Sequence, residues 1–244
     1  MKDAEPRSLA GPLRGAGKGA LLPFLAGIAI PVAILIPLLI TRKTADPSPL
    51  LAISRLEEEL APLGVGFERG LTSAPHVIVE VVDFGCAFCS TLNTWTGSLI
   101  DEAVASGQAR HRLYIVNPEG TPASRVAATF AHCVAEQSKD VWLFRAQALD
   151  LVGGFPGNDP LSVALLEAAL AEAAEGLEAS SEPLEDCVEA MREDTRFVRA
   201  FEAGLRQGLT VLPVIAVDGR PLYSDDETQL TRDLRRRLGL ASDV

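Results

Sequence analysis

The chain is short of basic residues, histidine and aromatic side chains: 22 Lys and Arg stand against 33 Asp and Glu, with 3 His and 5% aromatics. The formal charge of −11 argues against a nucleic-acid interface, which needs a basic face to neutralise phosphates. Cysteine is sparse too, with four residues and a single Cys-x-x-Cys at Cys86 and Cys89. A closed zinc site normally takes four ligands. Here only His76, His111 and His132 could supplement the two thiols. No internal repeat is present, which sets repeat arrays aside. What is abundant is Ala, Leu and Val, the composition of a globular chain, and 244 residues hold one ordinary domain with appendages.

Charge is distributed unevenly. Residues 1–43 carry Lys2, Arg7, Arg14, Lys18, Arg42 and Lys43 against Asp3 and Glu5, and the remainder is strongly acidic. Within that basic stretch, Leu21 to Ile40 is an uncharged apolar run whose helical length, about 30 Å, matches a bilayer core. It reads as an uncleaved anchor spanning residues 20–41. A cleaved signal peptide is the alternative, although Thr41-Arg42-Lys43-Thr44-Ala45 lacks a small-x-small cleavage site. A buried core helix fits poorly with Pro23, Pro31 and Pro37, which membrane helices tolerate better. Four basic residues precede the run and two follow it. That bias predicts a single pass through the cell membrane, with a cytoplasmic tail (1–19) and the large C-terminal part in the periplasm or its extracytoplasmic equivalent. Such a compartment permits disulfides. Gly15-Ala16-Gly17-Lys18-Gly19 lacks the upstream glycine, the Ser/Thr and the strand of a phosphate loop.

After the anchor, residues 42–70 read as a linker, with helix-like apolar spacing from Leu50 to Leu60 and Glu57-Glu58-Glu59 as a solvated face. A strand is predicted from His76 to Val82, a helix from Cys89 to about Ser106, and a second strand from Arg110 to Val116. Ala- and Leu-rich material from about Ala123 to Leu205 offers several helices, broken at Gly153-Gly154-Phe155-Pro156-Gly157 and at Ser180 to Pro183. Val214 to Val217, the turn Asp218-Gly219 and Arg220 to Tyr223 form a hairpin signature. Ser224 with Glu227 predicts a capping box for a last helix. The order is β-α-β, a helical block, then β-β-α.

Cys86 and Cys89 lie one helical turn apart, directly after the β-branched segment Val79-Glu80-Val81-Val82. A first sulfur at a helix start faces unpaired N–H groups and the positive end of the dipole, which favour thiolate. Thiolate is the nucleophile in disulfide exchange, and the second sulfur can resolve a mixed disulfide. Inert structural cysteines are the bland alternative.

Three local patterns give the chain a family likeness: Glu80 with Asp83-Phe84-Gly85-Cys86-Ala87-Phe88-Cys89; Phe130-Ala131-His132-Cys133-Val134-Ala135-Glu136-Gln137 with Val141-Trp142-Leu143-Phe144; and Gly208-Leu209-Thr210-Val211-Leu212-Pro213 running into Val214 to Gly219. Together they resemble the DsbA-like branch of the thioredoxin superfamily, over about residues 70–240. The resemblance implies an α/β thioredoxin fold at 71–244 with a helical domain inserted at about 119–205. It implies Cys86 as the attacking thiol, Cys89 as the resolving thiol and Pro213 as a cis-proline. Leu212 and Phe88 would then meet substrate. Glu80, six residues before Cys86, would be a buried acid relaying a proton to Cys89, with a pKa raised by burial. Asp83 reads as a turn former. Cys133 and Cys187, both in the helical block, read as a structural disulfide worth on the order of 3–5 kcal/mol; a second redox pair or free thiols are the alternatives. Two positions depart from the family pattern. Phe88 stands where strong oxidants carry His, and Leu212 where Thr or Val is common. The activity implied is exchange of disulfides with protein thiols, without organic cofactor or metal, as a dithiol oxidase served by a quinone-linked membrane partner. A reductase or isomerase fed by a transmembrane electron donor, or a redox-inactive polypeptide-binding module, are the alternatives.

Overall fold

A computed structural model describes residues 52–118, 120–137, 140–154, 159–177 and 181–240. The apolar run Leu21 to Ile40 lies outside them, and no helix among the described residues is long and apolar enough to cross a membrane.

The first helix, α1 (Ile53–Leu60), buries Ile53, Leu56 and Leu60, the helical spacing seen in the sequence. Its acidic run is not wholly solvated. Glu57 accepts hydrogen bonds from Arg112 (3.0 Å) and Tyr114 (3.2 Å), and Glu59 pairs with Arg206 (3.1 Å). Strand β1 (Gly66–Arg69) follows, where a linker was expected from sequence. Four residues containing Gly66, Glu68 and Arg69 carry too little β patterning to stand out. Gly66 pairs with Tyr114, and a Cβ there would come within 2.7 Å of the tyrosine ring.

The remaining elements are β2 (His76–Val82), α2 (Ala87–Ala105), β3 (Ala109–Ile115), a helical block, β4 (Val214–Val217), β5 (Arg220–Leu222) and α8 (Glu227–Leu238). The block comprises α3 (Pro122–Gln137), α4 (Val141–Gly154), α5 (Pro160–Glu175), α6 (Ser181–Ala190) and α7 (Arg196–Arg206). The sheet order is β1-β3-β2-β4-β5, with β2 and β3 parallel and the other pairs antiparallel. Strand β2 is central and covered on both faces, which is why it reads as a nearly unbroken apolar run. Ile78 packs with Leu99 of α2 and Leu234 of α8, whereas Val79 and Val81 join the cluster that includes Phe144 and Ala127 of the block.

Local signals hold with small adjustments. Asp218 (φ 51°) and Gly219 (φ 74°) both take the left-handed conformation, the requirement of a two-residue type I′ hairpin. Pro183 lies inside the first turn of α6 rather than breaking the chain, where a missing N–H costs nothing. Asp226, not Ser224, caps α8: its carboxylate accepts from Gln229 N–H at 2.7 Å, and the Ser224 hydroxyl accepts from Asp226 N–H at 3.0 Å.

Candidate active site

Strand β2 ends at Val82 and the chain turns through Asp83, Phe84 and Gly85 into α2. The Asp83 carboxylate accepts from Gly85 N–H (3.0 Å) and its backbone carbonyl from Cys86 N–H (3.1 Å). Cys86 is thereby set in extended conformation (φ −88°, ψ 111°) at the N-cap of α2. Cys86 is half-buried and Cys89 buried, and both are free thiols. The Cys86 thiol is lowered to about 7, first by a hydrogen bond from Cys89, against burial, and then by the N–H groups of Cys89 and Phe88. These N–H groups of the first helical turn act in the direction expected for a sulfur at a helix start. Burial pushes Cys89 strongly the other way, and the Cys86 and Asp83 charges add to that.

Facing the pair is the loop after α7, where the Leu212–Pro213 peptide bond is cis. The Cys86 thiol points at the Leu212 carbonyl, with 3.9 Å between sulfur and oxygen. Two clefts meet here. One of about 440 Å³ is lined by Phe88, Leu92, Pro213 and Tyr223, and the other, of about 360 Å³, by Asp83, Cys86, Thr121 and Thr210. Val211 and Leu212 border both. Phe88 is 40% exposed and stands edge-on to Trp95, with ring centroids 5.9 Å apart.

Glu80 is buried as expected, at 1% exposure, yet its ionisation is the reverse of the expectation. Burial alone would raise its pKa, but Arg145 and His111 outweigh burial and hold it at about 2. One carboxylate oxygen is bonded by Arg145 and the other by His111 Nε2 at 3.0 Å. Burial lowers the His111 pKa despite Glu80. We therefore assign neutral His111, its Nε2–H donating to Glu80 and its Nδ1 facing Arg69 at 3.4 Å. Glu80 is a fixed anion and has no proton to relay at neutral pH. Sequence reasoning missed this cluster because Arg145 lies 65 residues from Glu80, with no local signal to join them.

It also understated Asp83. Besides holding Gly85, its carboxylate accepts a hydrogen bond from the Ser124 hydroxyl of α3. Cys133 and Cys187 form a disulfide between α3 and α6, Cα to Cα 5.8 Å. The histidines are engaged away from the thiols: His76 with Asp218 (2.9 Å), His111 with Glu80, and His132 with Glu136 (3.2 Å). Among the described residues no group of three or more His, Cys, Asp or Glu gathers to hold a metal.

The family model described as Thioredoxin matches residues 65–234. No curated relative matches the chain. Solved structures resemble it in fold. The MdbA protein of Actinomyces oris, a thiol-disulfide oxidoreductase, superposes with TM-score 0.63 at 13% identity, covering 79% of this chain and 99% of that one. BdbD of Bacillus subtilis gives 0.57 at 17%, covering 70% and 92%. Reduced DsbA of Mycobacterium tuberculosis gives 0.57 at 18%, covering 72% and 93%. With the inserted helices, the cis Leu212–Pro213 bond and the dithiol at the start of α2, the chain belongs to the thioredoxin family and has the DsbA-like form of its fold.

Proposed function

We propose that this chain is an extracytoplasmic thiol–disulfide oxidoreductase, anchored to the membrane by the run Leu21 to Ile40, that exchanges disulfides with protein substrates through Cys86 and Cys89. The observation that carries the reading is the asymmetry of the two thiols. Cys86 is accessible and lowered to about 7 at a helix N-cap, whereas Cys89 is buried and strongly raised. A thiol with a pKa near ambient pH is close to the optimum for attack, and a buried high-pKa thiol stays protonated until it is needed.

In the oxidase direction, a substrate thiolate attacks Cys86 Sγ of the enzyme disulfide. A substrate–Cys86 disulfide forms and the bond to Cys89 breaks, leaving Cys89 as a thiolate that takes a proton. A second substrate thiolate then attacks the substrate sulfur of the mixed disulfide, and Cys86 leaves as thiolate. Two electrons have passed from substrate to enzyme, and a quinone-linked membrane partner would remove them. Pro213 offers no N–H, so the neighbouring backbone of Leu212 is the group we assign to pairing with extended substrate; Phe88 and the apolar cleft beside it would hold substrate side chains. The Cys133–Cys187 bridge is assigned a structural role, and the linker and catalytic domain are assigned to about residues 42–65 and 66–244, in place of the expected 42–70 and 71–244, because β1 pairs with β3.

A reductase or isomerase is the second reading, favoured by Phe88 in place of an imidazole and by the Asp83 charge acting against the Cys86 thiolate. Equilibration of the full-length chain in glutathione buffers separates the reductase from the other two. A potential of about −120 to −180 mV supports the oxidase or an isomerase, and one of about −270 mV or below supports a reductase. A pair that never exchanges, with no Cys86-linked mixed disulfides trapped on Cys89→Ser, would refute exchange altogether.

A further inference from the structure

The exchange chemistry proposed above leaves one requirement open: which acid works on the dithiol. We infer that Asp83, held by Ser124 of the inserted helices, is the positioning residue that sets the redox balance of Cys86 and Cys89, in the place that family resemblance gives to Glu80.

Glu80 is already committed. Both of its oxygens are bonded, one by Arg145 and one by His111, and the ion pair compensates its charge inside the protein. Asp83 stands differently. It is three residues from Cys86, and its backbone carbonyl receives the Cys86 N–H, so carboxylate and sulfur leave the same turn. Asp83 borders the same cleft of about 360 Å³ as Cys86 while staying buried itself, so its charge is poorly screened by water. Gly85 N–H and the Ser124 hydroxyl fix its orientation. A side chain on Gly85 would meet Ser124 Cβ at 3.0 Å, so the turn and α3 are closely fitted at this point.

The consequence is electrostatic. An anion beside a thiolate disfavours it, and the Asp83 charge opposes ionisation of both cysteines. Destabilising the Cys86 thiolate destabilises the reduced form and makes the disulfide less oxidising. Apart from Asp83 and Cys86 that cleft is lined by residues without charge, Thr121, Thr210 and Phe201 among them, and the apolar cleft on the Phe88 side carries Asp225. Ser124 draws Asp83 charge toward α3, so the inserted domain, not only the thioredoxin core, tunes the pair.

The test uses the full-length chain, reduced, with iodoacetamide alkylation of Cys86 followed against pH and with glutathione equilibration beside it. Asp83→Asn should lower the alkylation midpoint and move the glutathione equilibrium toward the dithiol, by about twofold for each ~0.3 pH unit of that shift. Ser124→Ala should raise the midpoint, and Ser124→Thr should restore it. An unmoved midpoint in folded Asp83→Asn overturns the inference; if that variant does not fold, an unmoved midpoint in Ser124→Ala does so instead. A wild-type chain that alkylates at Cys86 yet never exchanges with glutathione sinks the exchange reading and leaves the alkylation comparison to judge Asp83 by itself.

Discussion

Replacing Arg145 with Met tests the buried ion cluster most directly. Glu80 is 1% exposed, bonded by Arg145 and His111, while Arg145 also reaches Asn93 Oδ1 of α2 at 2.6 Å. The carboxyl falls from an ordinary 4.5 to about 2 in the folded chain. Each tenfold in acidity is worth ~1.4 kcal/mol, so the cluster, net of the burial that opposes it, leaves the charged form favoured by about 3 kcal/mol. Removing one partner of a buried pair typically costs about 3–5 kcal/mol, because the other charge is left uncompensated. Arg145→Met should therefore lose about 3 kcal/mol in urea unfolding at pH 7.5. The sign with pH is opposite in the two proteins. In the wild type Glu80 is depressed, so its contribution is complete above about 4.5 and disappears as pH falls through about 2. In the variant, burial acts on Glu80 without Arg145, and His111 is freed from Arg145 repulsion. Either group then takes up a proton more readily, so the penalty should shrink on acidification from pH 7.5 toward 5. A loss below about 1 kcal/mol, or a penalty that grows as pH falls, would show that the cluster does not stabilise the fold as argued.

Three further outcomes are expected. Cys187→Ala opens a bridge spanning 54 residues, and loop entropy puts the cost at about 4 kcal/mol; an unchanged melting transition would rule out a stabilising bridge. Phe88→His places an imidazole beside Cys86, so the alkylation midpoint should fall below about 7 and the pair become more oxidising; a midpoint that stays or rises contradicts this. Gly204→Ala puts a Cβ 2.5 Å from Leu209 Cδ2, just before the Thr210 to Pro213 loop. Overpacking of this kind costs about 1–3 kcal/mol, and mixed-disulfide formation should slow as the loop shifts. Wild-type stability and exchange rate together would exclude that contact as a constraint.

The sequence by itself determined whatever lies in a local pattern. The unbroken apolar β2, the helix start after Cys86, the Asp218-Gly219 hairpin and the proline at 213 each carry their signal within a few residues. These places fix where a dithiol, its turn and its facing loop lie along the chain. It did not reveal β1, whose four residues have no alternation, or the choice of Asp226 over Ser224 as cap, which turns on backbone angles. Above all, only the tertiary structure decided what the two acids do. Glu80 and Asp83 are three residues apart and look alike in sequence. One meets Arg145 and His111 and becomes a fixed structural anion; the other meets Ser124 and shares a cleft with Cys86. Charge interactions depend on distance in space, and the partners that separate these two carboxylates lie between 31 and 65 residues away.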